Sequence, residues 1–149
     1  MPIDWTPDLD LGIEAIDRQH RRIISFINAL ELAQTGKDKS RVKKVIDDCV
    51  DYTLSHFAFE EELQKDVGYP YCKIHKKVHG LFAAKIAEYQ QRVTHGEDIG
   101  SQLHDTLVHW LIHHIKNEDV GYVSFVKASE KSAERSGEDK KHWLRRLFS

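Results

Sequence analysis

The 149-residue sequence predicts an all-α protein: an antiparallel up-down-up-down four-helix bundle with an N-terminal arm and a short C-terminal helical tail. Three observations predict it. Apolar residues recur at steps of three and four along four long segments, the spacing that gathers them on one helix face. No segment of comparable length alternates with period two, so no sheet is expected. Short glycine-containing breaks separate the segments, and connections of a few residues between helices of about 20 residues make neighbours antiparallel.

Residues 1–12, with Trp5, form the arm. The first helical segment carries Ile13, Ile16, His20, Ile23, Ile27 and Leu30 and ends at Gly36. The second carries Val42, Val45, Cys49, His56, Glu60, Leu63 and Val67, and the breaker Gly68-Tyr69-Pro70 stops it. The third runs through His75, Val78, His79, Phe82, Ile86, Tyr89 and Val93 to Gly96. Ser101 is expected to cap the fourth, which carries Leu103, Leu107, Trp110, Leu111, His114 and Tyr122. Residues 1–126 then make one bundle, and residues 127–149 are its tail. The tail is +3, whereas residues 1–126 are −5. Beyond Gly137 an apolar stripe of Trp143, Leu144, Leu147 and Phe148 is flanked by Lys140, Lys141, Arg145 and Arg146. Such a pattern suits a short helix covering the bundle, or a docking helix for a partner or an anionic membrane surface.

Composition narrows the function classes. With 22 basic and 24 acidic residues the net charge is −2, too little cationic surface for nucleic-acid binding by bulk electrostatics. At 40% hydrophobic residues with only 3 prolines, the chain is not a low-complexity one. Its two cysteines, Cys49 and Cys72, form neither a C-x-x-C pair nor a disulfide framework. The N-terminus shows no secretory pattern, and the apolar runs are too short to span a bilayer. A cytoplasmic monomer is expected. The anomaly is histidine, present 10 times.

Five of those histidines, His20, His56, His75, His79 and His114, occupy the apolar stripes of all four helices. Imidazoles in a core need hydrogen-bond or metal partners, and five in one bundle are hard to satisfy separately. His75-x-x-x-His79 sets two donors one turn apart, about 40° around the helix, and His56-x-x-x-Glu60 does the same for a nitrogen and a carboxylate. These donors exceed the four that a structural zinc takes, so two metals sharing a carboxylate fit better. Imidazole and carboxylate without thiolate suit iron, manganese or zinc. The paired Glu-x-x-His motifs of ferritin-like bundles are absent, as are His-Glu-x-x-His, Gly-x-Ser-x-Gly and phosphate-loop signatures. The off-pattern His95, His104, His109, His113 and His142 read as surface residues or neighbours' contacts.

Taken together, Ile16-Asp17-Arg18-Gln19-His20, His56-Phe57-x-x-Glu60-Glu61, His75-x-x-x-His79 and Trp110-Leu111-x-x-His114-Ile115-x-x-x-Asp119 resemble the bacterial hemerythrin family over about residues 5–126. The spacers between His20 and His56 and between His79 and His114 are longer than in the family, and the tail is additional. The resemblance implies two iron ions in a non-haem, oxo- or hydroxo-bridged centre with dioxygen as ligand. His75, His79 and His114 would hold one iron, His20 and His56 the other, and Glu60 and Asp119 would bridge. It also implies an oxygen pocket lined by Phe57, Trp110, Leu111 and Ile115, which are core residues in any case. One point divides the two readings. Regular helix geometry after His114 selects Glu118, four residues on, whereas the family pattern selects Asp119, five residues on and about 140° round.

Reversible dioxygen binding, for storage or delivery to an oxygen-consuming enzyme, is the expected function, that of a carrier rather than an enzyme. A di-iron redox enzyme handling peroxide, ferrous iron or nitric oxide is the alternative, as is an oxygen or redox sensor acting through the tail.

Overall fold

The computed structural model describes residues 2–137. Four long helices make the bundle: α1 (Glu14–Thr35), α2 (Lys39–Asp66), α3 (Cys72–Thr94) and α4 (Gly100–His113). A wide turn of π-helix (His114–Glu118) and a 3-10 turn (Asp119–Tyr122) then lead into α5 (Val123–Arg135). There is no strand among the described residues. α1 packs along α2 and α4, and α2 along α1 and α3, while α3 and α4 meet least of these four adjacent pairs. No helix among the described residues is long and apolar enough to cross a membrane.

The boundaries have local causes. Asp38 caps α2 by accepting from Arg41 N at 3.1 Å, satisfying an otherwise free amide of the first turn. α1 lacks a side-chain cap of that kind. Instead Asp17, buried in its first turn, accepts from Leu11 N (2.9 Å) and Gly12 N (3.1 Å) and so ties the arm to the bundle. Gly12 takes φ +82°, a left-handed conformation that a Cβ would strain. Farther back, Asn28 clamps the arm, accepting from Ile3 N at 2.8 Å and donating to Ile3 O at 3.0 Å.

Two expectations for the fourth segment are corrected. Ser101 is not its cap: the helix starts at Gly100, with buried Ile99 in the capping position and Leu103 N bonded to Ile99 O at 2.9 Å. Gly100 is needed there because the side chain of Gln34, from the end of α1, occupies the space of its missing Cβ. Nor does one helix run through to Tyr122, because the π-turn and the 3-10 turn intervene.

Two apolar clusters hold the molecule. The larger joins Ile23, Ile27 and Leu30 of α1 to Ile46, Phe57, Phe82, Ile86, Leu103, Leu107 and Leu111. The smaller joins Ile13, Ile16 and Leu63 to Tyr122, Val126 and Ala133. Each fully buried Leu or Ile contributes about 1.5–3 kcal/mol. Val126 and Ala133 flank the domain boundary expected at residue 126 and belong to the same cluster. The stripe Trp143, Leu144, Leu147 and Phe148, and His142, lie outside the described residues.

Candidate metal centre

Between the two apolar clusters lies a polar one. His20 comes from α1, His56 and Glu60 from α2, His75 and His79 from α3, and His114 and Asp119 from the two ends of the π-turn. All seven are buried. Their donor atoms form two overlapping sets, His20, His56, Glu60, His114 and Asp119, and Glu60, His75, His79 and His114, each within 4.8 Å.

The two carboxylates lie across the cluster. Glu60 Oε1 faces His75 Nε2 at 2.5 Å and His79 Nε2 at 3.3 Å, while its Oε2 faces His56 Nε2 at 3.0 Å and His114 Nε2 at 3.3 Å. Asp119 Oδ1 faces His75 Nε2 at 3.3 Å, while Oδ2 faces His20 Nε2 at 3.0 Å and His114 Nε2 at 2.8 Å. Each carboxylate thus offers one oxygen to His75 and the other to His20 or His56 and to His114. His114 belongs to both sets, so these distances alone do not draw the division of three nitrogens against two that the family resemblance implies.

The π-turn explains why Asp119 and not Glu118 points inward. Asp119 N donates to His114 O, an i→i+5 bond, so the residue brought back over His114 is the fifth along. Glu118 falls to the outside, where its Oε2 lies 3.3 Å from His114 Nδ1. The i+4 rule fails here because one extra residue is accommodated in the turn.

That outer contact is one of three. His56 Nδ1 donates to Gln19 Oε1 (2.7 Å), His79 Nδ1 to Glu61 Oε2 (3.0 Å) and His114 Nδ1 to Glu118 Oε2. An imidazole that donates through Nδ1 to an outer acceptor presents Nε2 inward as a lone pair, the tautomer a metal requires. Sequence reasoning gave no such role to Gln19, Glu61 or Glu118. The signal available was adjacency: Gln19 precedes His20, and Glu61 follows Glu60. Gln64 (Nε2 to Glu60 Oε1, 3.4 Å) and Tyr122 were also missed. Tyr122 was counted only as core, yet its hydroxyl is buried beside Glu60.

Electrostatics follow from burying acid and base together. Burial opposes charge on His75, but the carboxylates of Asp119 and Glu60 outweigh it and lift its pKa to about 9. His114 is raised well above the ordinary value, with burial again overcome by Asp119 and Glu60. Conversely, burial alone would raise Glu60, yet the imidazoles of His114, His56 and His75 hold it well below the usual carboxylate range. Asp119 is lowered too, despite burial and the Glu60 charge, by His114 and His20. On His56 burial prevails and its pKa falls.

The donor set fits metal ions. His20 Nε2, His56 Nε2, His79 Nε2, His114 Nε2, Glu60 Oε2 and both Asp119 oxygens are buried without an aligned hydrogen-bond partner, although each lies 2.8–3.3 Å from a nitrogen or oxygen of the cluster. Polar atoms left so are costly unless a cation completes them. Around them the expected pocket residues are apolar and close. Phe57 stacks on the His79 ring at 3.9 Å, and Trp110 stacks on His114 at 4.9 Å and on Phe82 at 4.1 Å. Leu111 and Ile115 are fully buried. Of the remaining histidines, His95, His109 and His113 are exposed, and His104 is half-buried beside Asp105.

Comparison with known proteins gives a consistent result. The model of the hemerythrin HHE cation binding domain matches residues 11–126. The bacteriohemerythrin of Stenotrophomonas maltophilia is 51% identical over 124 residues, 83% of this chain and 81% of that protein. A bacteriohemerythrin of Pseudomonas aeruginosa is 50% identical over 125 residues, covering 84% and 82%. A crystal structure of wild-type hemerythrin superposes with a TM-score of 0.79 at 26% identity, covering 85% of this chain and 98% of that one.

Proposed function

The chain belongs to the hemerythrin family, and from that premise we propose that its buried cluster holds two iron ions and binds dioxygen reversibly, for storage or for delivery to an oxygen-consuming enzyme. One observation carries the reading: the inward nitrogens and oxygens of seven buried residues converge, six of them with a buried atom left without a hydrogen-bond partner, and each carboxylate faces both sides of the cluster. His75, His79 and His114 would hold one iron, His20 and His56 the other, with Glu60 and Asp119 shared. Ferrous iron held by these residues would supply the electrons that reversible dioxygen binding draws on.

The chain's own residues do the rest. Gln19, Glu61 and Glu118 fix three imidazole rings with Nε2 inward. Five imidazoles against two carboxylates make the site less anionic than a carboxylate-rich one, which favours the ferrous state. Phe57, Leu111 and Ile115 wall the cluster with apolar surface and keep water from the bound gas.

Anaerobic metal counting followed by visible spectra through cycles of oxygen addition and removal tests the proposal. Two irons per chain and an absorption that comes and goes with oxygen are expected. Irreversible conversion to the diferric form would replace it with a redox enzyme or sensor, and zinc or a single metal would overturn the di-iron assignment.

A further inference from the structure

We infer that the outward face of α3 is a docking surface for an anionic lipid bilayer. Its inward face is committed to the bundle: His75, His79, Phe82 and Ile86 are buried. The outward face has an unusual composition for a solvated one. From Val67 to Ala87 the sequence holds Lys73, Lys76, Lys77 and Lys85 and no acidic residue, although the whole chain is net −2. No ion-pair partner is found for these four lysines among the described residues. α2 is built differently: there Lys43 and Lys44 are each neutralised, at 2.9 Å, by Asp47 and Asp48 one turn on.

Large apolar side chains are interleaved with these charges. Tyr71 is 59% exposed, Ile74 63% and Leu81 69%. Ile74 and Leu81 are seven residues apart, two turns along the same line of the helix, and half-buried Val78 lies between them. Lys77 and Lys85 follow each of them by three or four residues, so cation and hydrocarbon alternate along one shoulder. That shoulder is free because α4, the neighbour on one side of α3, makes the slightest contact with it.

Unpaired cations beside exposed apolar side chains match a surface that offers negative charge above hydrocarbon. An anionic bilayer does both. The apolar side chains enter the headgroup boundary while each lysine adds about fivefold to partitioning. A folded acidic protein could satisfy the charge, but the apolar shoulder is a single narrow line, better suited to insertion than to a packed interface of ordinary size. Bound in this way, the chain would hold His75 and His79 about one helix diameter, ~10 Å, from the lipid. The sequence after α5 repeats the chemistry with Lys140, Lys141, Trp143, Arg145 and Arg146, but the inference rests on α3 and is independent of what the metal centre binds.

The test is co-sedimentation of the full chain with vesicles of phosphatidylglycerol and phosphatidylcholine, against phosphatidylcholine alone. Binding to the anionic vesicles only is expected, weakening as salt rises. The double variant Lys73→Gln/Lys77→Gln should weaken it by about 25-fold. Ile74→Ser/Leu81→Ser should weaken it with the salt dependence unchanged, with helicity by circular dichroism showing that both variants fold. A chain truncated after Gly137 should still lose binding through the α3 substitutions. No binding to anionic vesicles overturns the inference, as does binding that ignores both α3 variants and vanishes on truncation. Retention on an immobilised acidic polypeptide with none on vesicles would assign the face to a protein instead.

Discussion

The π-turn makes a prediction in which two neighbouring acids exchange the roles that a regular helix would give them. Asp119→Asn removes a fully buried charge whose oxygens lie 2.8 Å from His114, 3.0 Å from His20 and 3.3 Å from His75. Glu118→Gln removes a half-buried charge that reaches the outer nitrogen of His114 at 3.3 Å and exposed His113 Nε2 at 3.7 Å, and none of the inward donor atoms. Outer partners of metal ligands typically cost about 10–100-fold in metal affinity when changed. Glu118→Gln should fall in that range and still carry two metals per chain at saturation. Asp119→Asn should lose more than about a hundredfold and fail to retain the second metal. Metal per chain, measured at equilibrium against graded chelator, separates the two. A third variant tests the cause. Deleting Asn117 returns the turn to α-helical spacing, which leaves Asp119 four residues after His114, about 40° round the helix, with α5 in its original register. That deletion should keep both metals. An equal or larger loss for Glu118→Gln than for Asp119→Asn would refute the assignment. A folded deletion variant without metal would refute the role given to the π-turn.

Three further outcomes follow from the same geometry. With His75 near 9 and His114 also raised by the two carboxylates, the metal-free chain holds protons that metal must displace, so uptake at pH 7 should expel at least the His75 proton, read by pH-stat in weak buffer. Apparent affinity should then climb at least about tenfold per pH unit towards pH 8 and less steeply beyond 9; an uptake without proton release would contradict the pairing. For the metal-free chain the sign runs the other way. A folded-state His75 lifted from 6.5 to about 9 contributes on the order of 3 kcal/mol below pH 6.5, and this is lost as pH rises through 9, so Tm should drop between pH 7 and 10. Leu111→Ala should cost about 2–5 kcal/mol by denaturant unfolding and speed autoxidation of the iron-loaded protein; an unchanged autoxidation rate would remove Leu111 from the pocket.

Much of this was legible in the sequence because bundle and site obey one periodicity. Ile16, Ile23, Ile27 and Leu30 define the inward face of α1, and His20 falls in the same row, so the stripe that builds the core also aims the imidazole. Gly36, Gly68 and Gly96 marked the breaks for an equally local reason. What escaped had non-local causes. The start of α4 was misplaced because Gly100 is fixed by Gln34 of another helix, a contact without a signature near Ser101. The π-turn was invisible to a rule that assumes 3.6 residues per turn. Gln19 and Glu61 were passed over because a polar residue beside a buried one ordinarily faces solvent, and only tertiary geometry shows theirs meeting His56 and His79.

The arrangement of apolar and polar layers also bears on whether the site exists before metal arrives. The larger apolar cluster runs from the middle of the bundle up to the histidines, where Phe57 stacks on His79, and the smaller one joins the start of α1 to Tyr122 and α5. Neither cluster needs a metal to form, and Asp17 and Asn28 fasten the arm without one. When the centre is empty, Glu60 and Asp119 raise His75 and His114, which offsets part of the cost of burying the two carboxylates. The metal-free chain should therefore stay helical by circular dichroism, with a lower Tm and no loss of cooperativity, and metal should enter a site already shaped for it. A chain that unfolds on chelation at 25 °C would mean that metal–ligand bonds, rather than the two apolar clusters, hold the four helices together.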